Sequence, residues 1–299
     1  MSKTAVAQQA ITPELRQWII AQAEAGCAVQ DVLQSMRRAG WHEDVALRAM
    51  ESTLTVHLQA QGLSEQDIQT RLQISPELLR EPPVPDIDLS GSPLYLDLGD
   101  RRVSVLASLR SPRAVLIGGL LSDEECDALI AAAKPRMARS LTVATQTGSE
   151  EVNADRTSNG MFFQRGENEL VSRIEARIAR LVHWPVVNGE GIQVLQYVPG
   201  AEYKPHYDYF DPGAPGTGTI LRRGGQRVGT VVMYLSEPEQ GGGSTFPDVG
   251  LEVAPQRGHA LFFAYARPDP STKTLHGGAP VIAGEKWIAT KWLREREFV

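Results

Sequence analysis

The sequence predicts an α+β protein, with helices first and an antiparallel sandwich or barrel afterwards, the sheets being supported by helices. Three observations predict this. The first 80 residues carry helical caps and apolar stripes with few β-branched runs, residues 81–93 are rich in proline and glycine, and from residue 190 onward apolar strands alternate with Gly/Pro turns. The organisation expected is an N-terminal helical bundle over 1–80, a linker over 81–93 and a second domain over 94–299.

The elements follow in order. Thr12-Pro13 is an N-cap with proline at the first helical position. Val29, Val32, Leu33 and Met36 recur at i, i+3, i+4, i+7, one face of a second helix that Gly40 ends. Ala46, Ala49, Met50 and Leu54 form a third stripe, and Ser64 with Asp67 suggests a capping box for a fourth helix. After the Pro-rich tract, Tyr95, Leu96 and Leu98 and then Val103, Val105 and Leu106 flank Gly99-Asp100, a hairpin pattern. Ser122 with Glu125 is a second capping box, opening a helix that carries Cys126, Leu129 and Ile130. Leu170, Ile174, Ile178 and Leu181 mark another helix near 167–182. The clearest strands are 192–198, 228–235, 258–265 and 285–293.

Composition narrows the function. The 299 residues carry a net charge of −6 and no broad basic field, which argues against a nucleic-acid partner. No run of 18 apolar residues suggests a transmembrane helix, and the first nine residues lack the apolar core of a signal peptide. The two cysteines, Cys27 and Cys126, form no CxxC pattern and read as buried small hydrophobes of a reducing compartment, so a cytoplasmic location is expected.

Of six histidines, His206 is the informative one, in Tyr203-Lys204-Pro205-His206-Tyr207-Asp208. On an extended strand, i and i+2 share a face, so His206 and Asp208 can offer a nitrogen and an oxygen to one ion. His276 would complete a facial triad of two histidines and a carboxylate, the set that leaves positions open on non-haem Fe(II). His-x-Asp alone also describes a hydrogen-bonding pair at a strand end. Lys286 follows His276 by ten residues, and its ammonium suits the far carboxylate of a dicarboxylate held by a metal. Trp292 has the parity of Lys286 and is expected on the same face. Lys291 has the opposite parity and reads as structural or solvent-facing.

These residues, with the tract Gly241-Gly242-Gly243-Ser244-Thr245-Phe246-Pro247, resemble the prolyl 4-hydroxylase-like family of Fe(II)/2-oxoglutarate dioxygenases over about residues 112–295, with core motifs in 190–295. The resemblance implies a double-stranded β-helix (jelly-roll) core and hydroxylation coupled to decarboxylation of 2-oxoglutarate to succinate and CO₂. It implies Fe(II), 2-oxoglutarate, O₂ and the reductant ascorbate. By this resemblance His206, Asp208 and His276 match the iron ligands, Lys286 the cosubstrate lysine and Tyr197 a tyrosine near the cosubstrate. Tyr203, Arg227 and Trp292 match substrate-bordering positions, and Arg156 with Ser158 a conformationally important tract, Arg156 being counted with the substrate residues; the plainer reading of Arg227, Arg156 and Ser158 is a surface or loop residue. Ser244 stands where the family commonly has threonine. Asp211–Gln226 and Thr145–Asp155 read as mobile loops flanking the site.

The expected substrate is a prolyl residue in a peptide or protein. A free amino acid or small metabolite is the alternative within the class. Outside it stand a non-catalytic binding module and a metal-dependent barrel without redox chemistry. The turn Ala39-Gly40-Trp41 gives the N-terminal helices a loose likeness to ubiquitin-associated modules, so they are read either as a cap or as a site for a protein partner. Oligomeric state has no signal in the sequence.

Overall fold

The computed structural model describes residues 11–27, 29–41, 43–64, 84–139, 141–143, 150–152, 157–211 and 214–299. The chain divides into two compact units, Met1–Glu81 and Pro82–Val299.

In the first unit, helices Pro13–Glu24, Val29–Arg38 and Glu43–Ala60 enclose Ile19, Val32, Met36, Ala46, Ala49, Met50 and Leu54. Thr12 caps the first helix by accepting from the Leu15 N–H, and Pro13 needs no hydrogen-bond partner there. Gly40, at φ +87°, supplies the left-handed turn that ends the second helix. The expected fourth helix at Ser64–Asp67 lies outside the described residues beyond Ser64.

The second unit is a jelly roll of two facing antiparallel sheets, the double-stranded β-helix expected. The major sheet has nine strands in the order Tyr95–Asp97, Arg102–Leu109, Arg113–Gly118, Ala260–Ala264, Arg227–Tyr234, Lys286–Arg294, Gly189–Tyr197, Asn159–Phe163 and Ala138–Arg139. The minor sheet has four: Leu251–Val253, Ser244–Phe246, His276–Gly278 and Tyr203–His206. Helices Asp123–Ala133 and Glu169–Leu181 cover the outer face of the major sheet, where Cys126, Leu129, Ile174 and Ile178 pack on Val194, Val231, Phe262 and Ala289. The Ser122–Glu125 capping box is fully formed. The inner face, with Leu195, Val232, Tyr234 and Ile288, meets Phe246 and Val253 of the minor sheet.

Three expectations change. Within the 81–93 tract, Val84, Ile87 and Leu89 pack into the outer core, because Arg113 grips Asp86 and the Ile87 carbonyl and so draws the tract onto the sheet. Of the two readings of Lys291 the structural one holds and the solvent-facing one falls: its strand is covered by the helix Glu169–Leu181, and its ammonium is buried against Glu175. The 211–226 segment holds a short helix, Thr217–Leu221, and Gln226 clamps the backbone of Phe210 through both its amide atoms. Thr145–Asp155 lies outside the described residues except for the strand Glu150–Val152.

Candidate active site

The site forms where the two sheets face each other. Strand Tyr203–His206 pairs with His276–Gly278 so that His206 and His276 are direct cross-strand partners, their ring centroids 4.4 Å apart. Gly277 allows this approach, since a Cβ there would lie 2.9 Å from the Tyr203 carbonyl oxygen. Asp208 lies just past the strand end, buried under both rings. His206 Nε2 is 3.6 Å from Asp208 Oδ1, and His276 Nε2 is 3.5 Å from Asp208 Oδ2. One ligand atom from each of the three lies within 4.8 Å of the others.

The tautomers are fixed by the backbone. His206 Nδ1 donates to the Lys204 carbonyl at 2.9 Å and His276 Nδ1 to the Thr274 carbonyl at 3.0 Å. A carbonyl only accepts, so Nδ1 of each ring carries a proton, and Nε2 of each ring faces the carboxylate. Burial, partly opposed by Asp208, pushes the His276 pKa down to about 4, which keeps that ring neutral near pH 7. Burial alone would raise the Asp208 pKa, but the histidines beside it and Arg227 prevail and hold its carboxyl well below the usual range. Two imidazoles and an ionised carboxylate on one face suit an octahedral divalent ion such as Fe(II).

The cleft is lined by these three residues together with Leu195, Tyr197, Val232, Ile288 and Lys286 among others. Lys286 is 2 % exposed, and its ammonium donates to the Gly242 carbonyl at 2.6 Å. Among the described residues no carboxylate pairs with it, and burial lowers its pKa to about 8. A buried cation without a counter-charge is an anion receptor held ready. Tyr197 is its register partner across the sheet, with the ammonium 5.3 Å from the ring.

At the mouth, Tyr203 stacks on His206 with centroids 3.6 Å apart. Trp292 shares the face of Lys286, as strand parity predicts, and its buried indole N–H has no hydrogen-bond partner among the described residues. Arg227 is neither a surface nor a loop residue. It opens a central strand, pairs with buried Glu190 through two N–H groups at 2.7 and 2.9 Å, and lies 4.0 Å over the Trp292 ring. Ser158 is buried, and Arg156 lies outside the described residues. His183 is exposed and His259 half-buried, and neither lines the cleft.

Sequence reasoning missed Thr230, Val232, Ile288, Thr290 and Glu190. Parity with Lys286 and Trp292 could have found Ile288 and Thr290. Thr230 and Val232 sit opposite Trp292 and Thr290 on the neighbouring strand, a register no local pattern reveals.

Fold and site together suit an oxygenase, with a candidate Fe(II) triad and a buried ammonium in one cleft. Comparison agrees: residues 192–294 match the 2OG-Fe(II) oxygenase superfamily. Prolyl 4-hydroxylase 5 of Arabidopsis thaliana is 42% identical over 221 residues, spanning 67% of this chain and 74% of that protein. Prolyl 4-hydroxylase 2 of the same plant is 38% identical over 210 residues, spanning 62% and 69%. A solved viral collagen prolyl hydroxylase from Paramecium Bursaria Chlorella virus-1, in complex with 2OG, is 32% identical with a TM-score of 0.46, covering 60% of this chain and 95% of that one. The chain belongs to the prolyl 4-hydroxylase family. It is a 2-oxoglutarate-dependent dioxygenase that uses Fe(II), 2-oxoglutarate and O₂.

Proposed function

We propose that this enzyme hydroxylates a prolyl residue in a peptide or protein, with His206, Asp208 and His276 as iron ligands and Lys286 and Tyr197 as the cosubstrate site. One observation carries the assignment of roles: a single cleft holds two imidazoles and a carboxylate at one side and, at another, a buried ammonium with no counter-charge among the described residues. Bound Fe(II) supplies the activation of O₂, coupled to decarboxylation of 2-oxoglutarate.

The chain's own contribution is orientation and dryness. The backbone carbonyls of Lys204 and Thr274 aim both Nε2 atoms inward. Lys286 attracts the distal carboxylate of the cosubstrate, and Leu195, Val232 and Ile288 keep water from its stem. Tyr203, Trp292 and Arg227 border the substrate, the Trp292 N–H serving as a donor for a peptide carbonyl and Arg227 holding the indole plane. Arg156 is proposed in this group on its sequence match alone. The substrate class is supported by the curated relatives, which are named prolyl 4-hydroxylases. Ascorbate as reductant belongs to the same reading, and so does a cytoplasmic location, which both free cysteines favour, Cys126 being buried as expected and Cys27 exposed instead. No helix among the described residues is long and apolar enough to cross a membrane. The N-terminal helices, which enclose an apolar core of their own, are suited to carry a protein partner.

The test is succinate release from Fe(II)-loaded protein, followed by mass spectrometry, with and without proline-rich peptides. Wild type should release succinate faster with a substrate peptide, which gains about 16 Da as one oxygen is inserted. His206→Ala should release none. Absence of succinate from iron-loaded wild type would overturn the assignment. Oxygen insertion into free proline but into no peptide would replace the substrate class.

A further inference from the structure

Asp208 is held from behind by two hydroxyls that the proposed mechanism does not use. Thr230 Oγ1 lies 2.7 Å from Asp208 Oδ2, and Tyr265 Oη lies 3.0 Å from Thr230 Oγ1. The directions are forced. An ionised carboxylate only accepts, so the single Thr230 proton goes to Asp208. Thr230 then has only lone pairs to offer, so Tyr265 must donate to it. The chain runs Tyr265 O–H to Thr230 O–H to Asp208, each bond polarising the next. All three groups are buried, at 2 %, 0 % and 6 % exposure, so no water competes.

The sequence context makes the hydroxyls conspicuous. Tyr265 follows Phe262 and Phe263 on an aromatic wall, where a phenylalanine would fill the same space with no polar atom to satisfy. Thr230 sits in an apolar strand between Val228 and Val231, in register with Phe263 on one side and Trp292 on the other. Two polar atoms in such surroundings are stable only because each has its partner. A carboxylate reached only by the two imidazoles could rotate about its Cβ–Cγ bond. The Thr230 bond takes one lone pair of Oδ2 and fixes that plane.

We infer that Thr230 and Tyr265 are positioning residues for Asp208: the two-hydroxyl chain locks the carboxylate plane toward His206 and His276 and thereby sets the metal affinity of the site. This rests on the reading of His206, Asp208 and His276 as the metal ligands. Tyr265 touches neither substrate nor metal and acts through Thr230. Partners behind a metal ligand of this kind typically contribute 10- to 100-fold in metal affinity.

The experiment titrates full-length, metal-free protein with Co(II) and reads both the dissociation constant and the visible ligand-field bands, without turnover. Thr230→Val should weaken binding about tenfold or more and change the bands, because the carboxylate is no longer fixed. Thr230→Ser, which keeps the hydroxyl, should restore both. Tyr265→Phe should weaken binding by a few-fold, the size of one net hydrogen bond. Combined with Thr230→Val it should add nothing further, since its acceptor is already gone. A dissociation constant for Tyr265→Phe equal to wild type would overturn the inference, and so would a loss in Thr230→Ser as large as in Thr230→Val. Should Thr230→Val fail to fold, Tyr265→Phe and Thr230→Ser decide the matter alone. His206→Ala separates the two levels. If it binds Co(II) like wild type, the ligand assignment itself fails; if it loses Co(II) while Tyr265→Phe does not, only the hydroxyl chain fails.

Discussion

Lys286 and Lys291 lie on one strand, each only 2 % exposed, and they face opposite layers of the molecule. Lys291 points to the helix-covered face, where its ammonium meets the Glu175 carboxylate and the Glu190 carbonyl. Gly189 makes room for it, since a Cβ there would overlap its side chain. Lys286 points into the cleft, where its ammonium meets only the Gly242 carbonyl and the Tyr197 ring among the described residues. Burial opposes both charges, and only Lys291 is given an opposite charge in return. The difference separates a structural role from the proposed receptor role: a paired buried lysine holds layers together, and one without a counter-charge among the described residues is suited to a ligand's charge.

The largest expected effect breaks the paired side. Lys291→Met strands the Glu175 carboxylate in the core, and loss of one partner of a buried pair costs about 3–5 kcal/mol. Urea unfolding of the ligand-free protein measures it, and a change under 1 kcal/mol would remove the contrast between the two lysines.

The unpaired side should respond with the opposite sign. Lys286→Met relieves an uncompensated buried charge. Its pKa drop from 10.5 to about 8 corresponds to about 3 kcal/mol, so the ligand-free variant should be more stable by up to that amount at pH 7. The same variant should lose 2-oxoglutarate binding in calorimetry. A variant that is destabilised while still binding the cosubstrate would refute the receptor reading.

The pH dependence sharpens the same contrast. Between pH 8 and 10.5 the unfolded chain keeps the Lys286 proton that the folded chain has released. The unfolded state then binds more protons, so the contribution of this group makes stability rise with pH across that window. The rise should vanish in Lys286→Met. Over the same window cosubstrate affinity should fall, as the receptor loses its charge.

A smaller effect tests the cleft wall. Tyr234 donates to Ser244 at 2.9 Å, both buried. Ser244→Ala should cost about 1–2 kcal/mol through the phenol left unsatisfied. Ser244→Thr, the residue common in the family, should leave stability within about 0.5 kcal/mol, as it keeps the hydroxyl.

Much of the site was legible because its chemistry is local. His206 and Asp208 are two residues apart, and Lys286, Ile288, Thr290 and Trp292 repeat at the strand period, so parity alone placed Lys286 with Trp292 and set Lys291 apart. The partners of those residues were not legible. Glu175 reaches Lys291 from a helix 116 positions away, Glu190 reaches Arg227 across 37, and Tyr265 reaches Thr230 across 35. Parity says that a residue faces inward, and it does not say what stands opposite. For that reason Lys291 could be read as solvent-facing and Arg227 as a loop residue.

By itself, then, the sequence determined the order of helices and strands, the inward faces of the strands and the candidate metal-ligand set with its lysine. Each of these follows from backbone period and side-chain chemistry. Only the tertiary structure decided which buried charge would be answered. It paired the strand of His276 with that of His206, aimed Nε2 of each at Asp208, neutralised Arg227 with Glu190, and left Lys286 without a carboxylate partner among the described residues. Sheet register and helix packing make these choices because they bring together residues that are distant in the chain, and in a dry interior a neighbour 3 Å away decides whether a charge is bound or waiting.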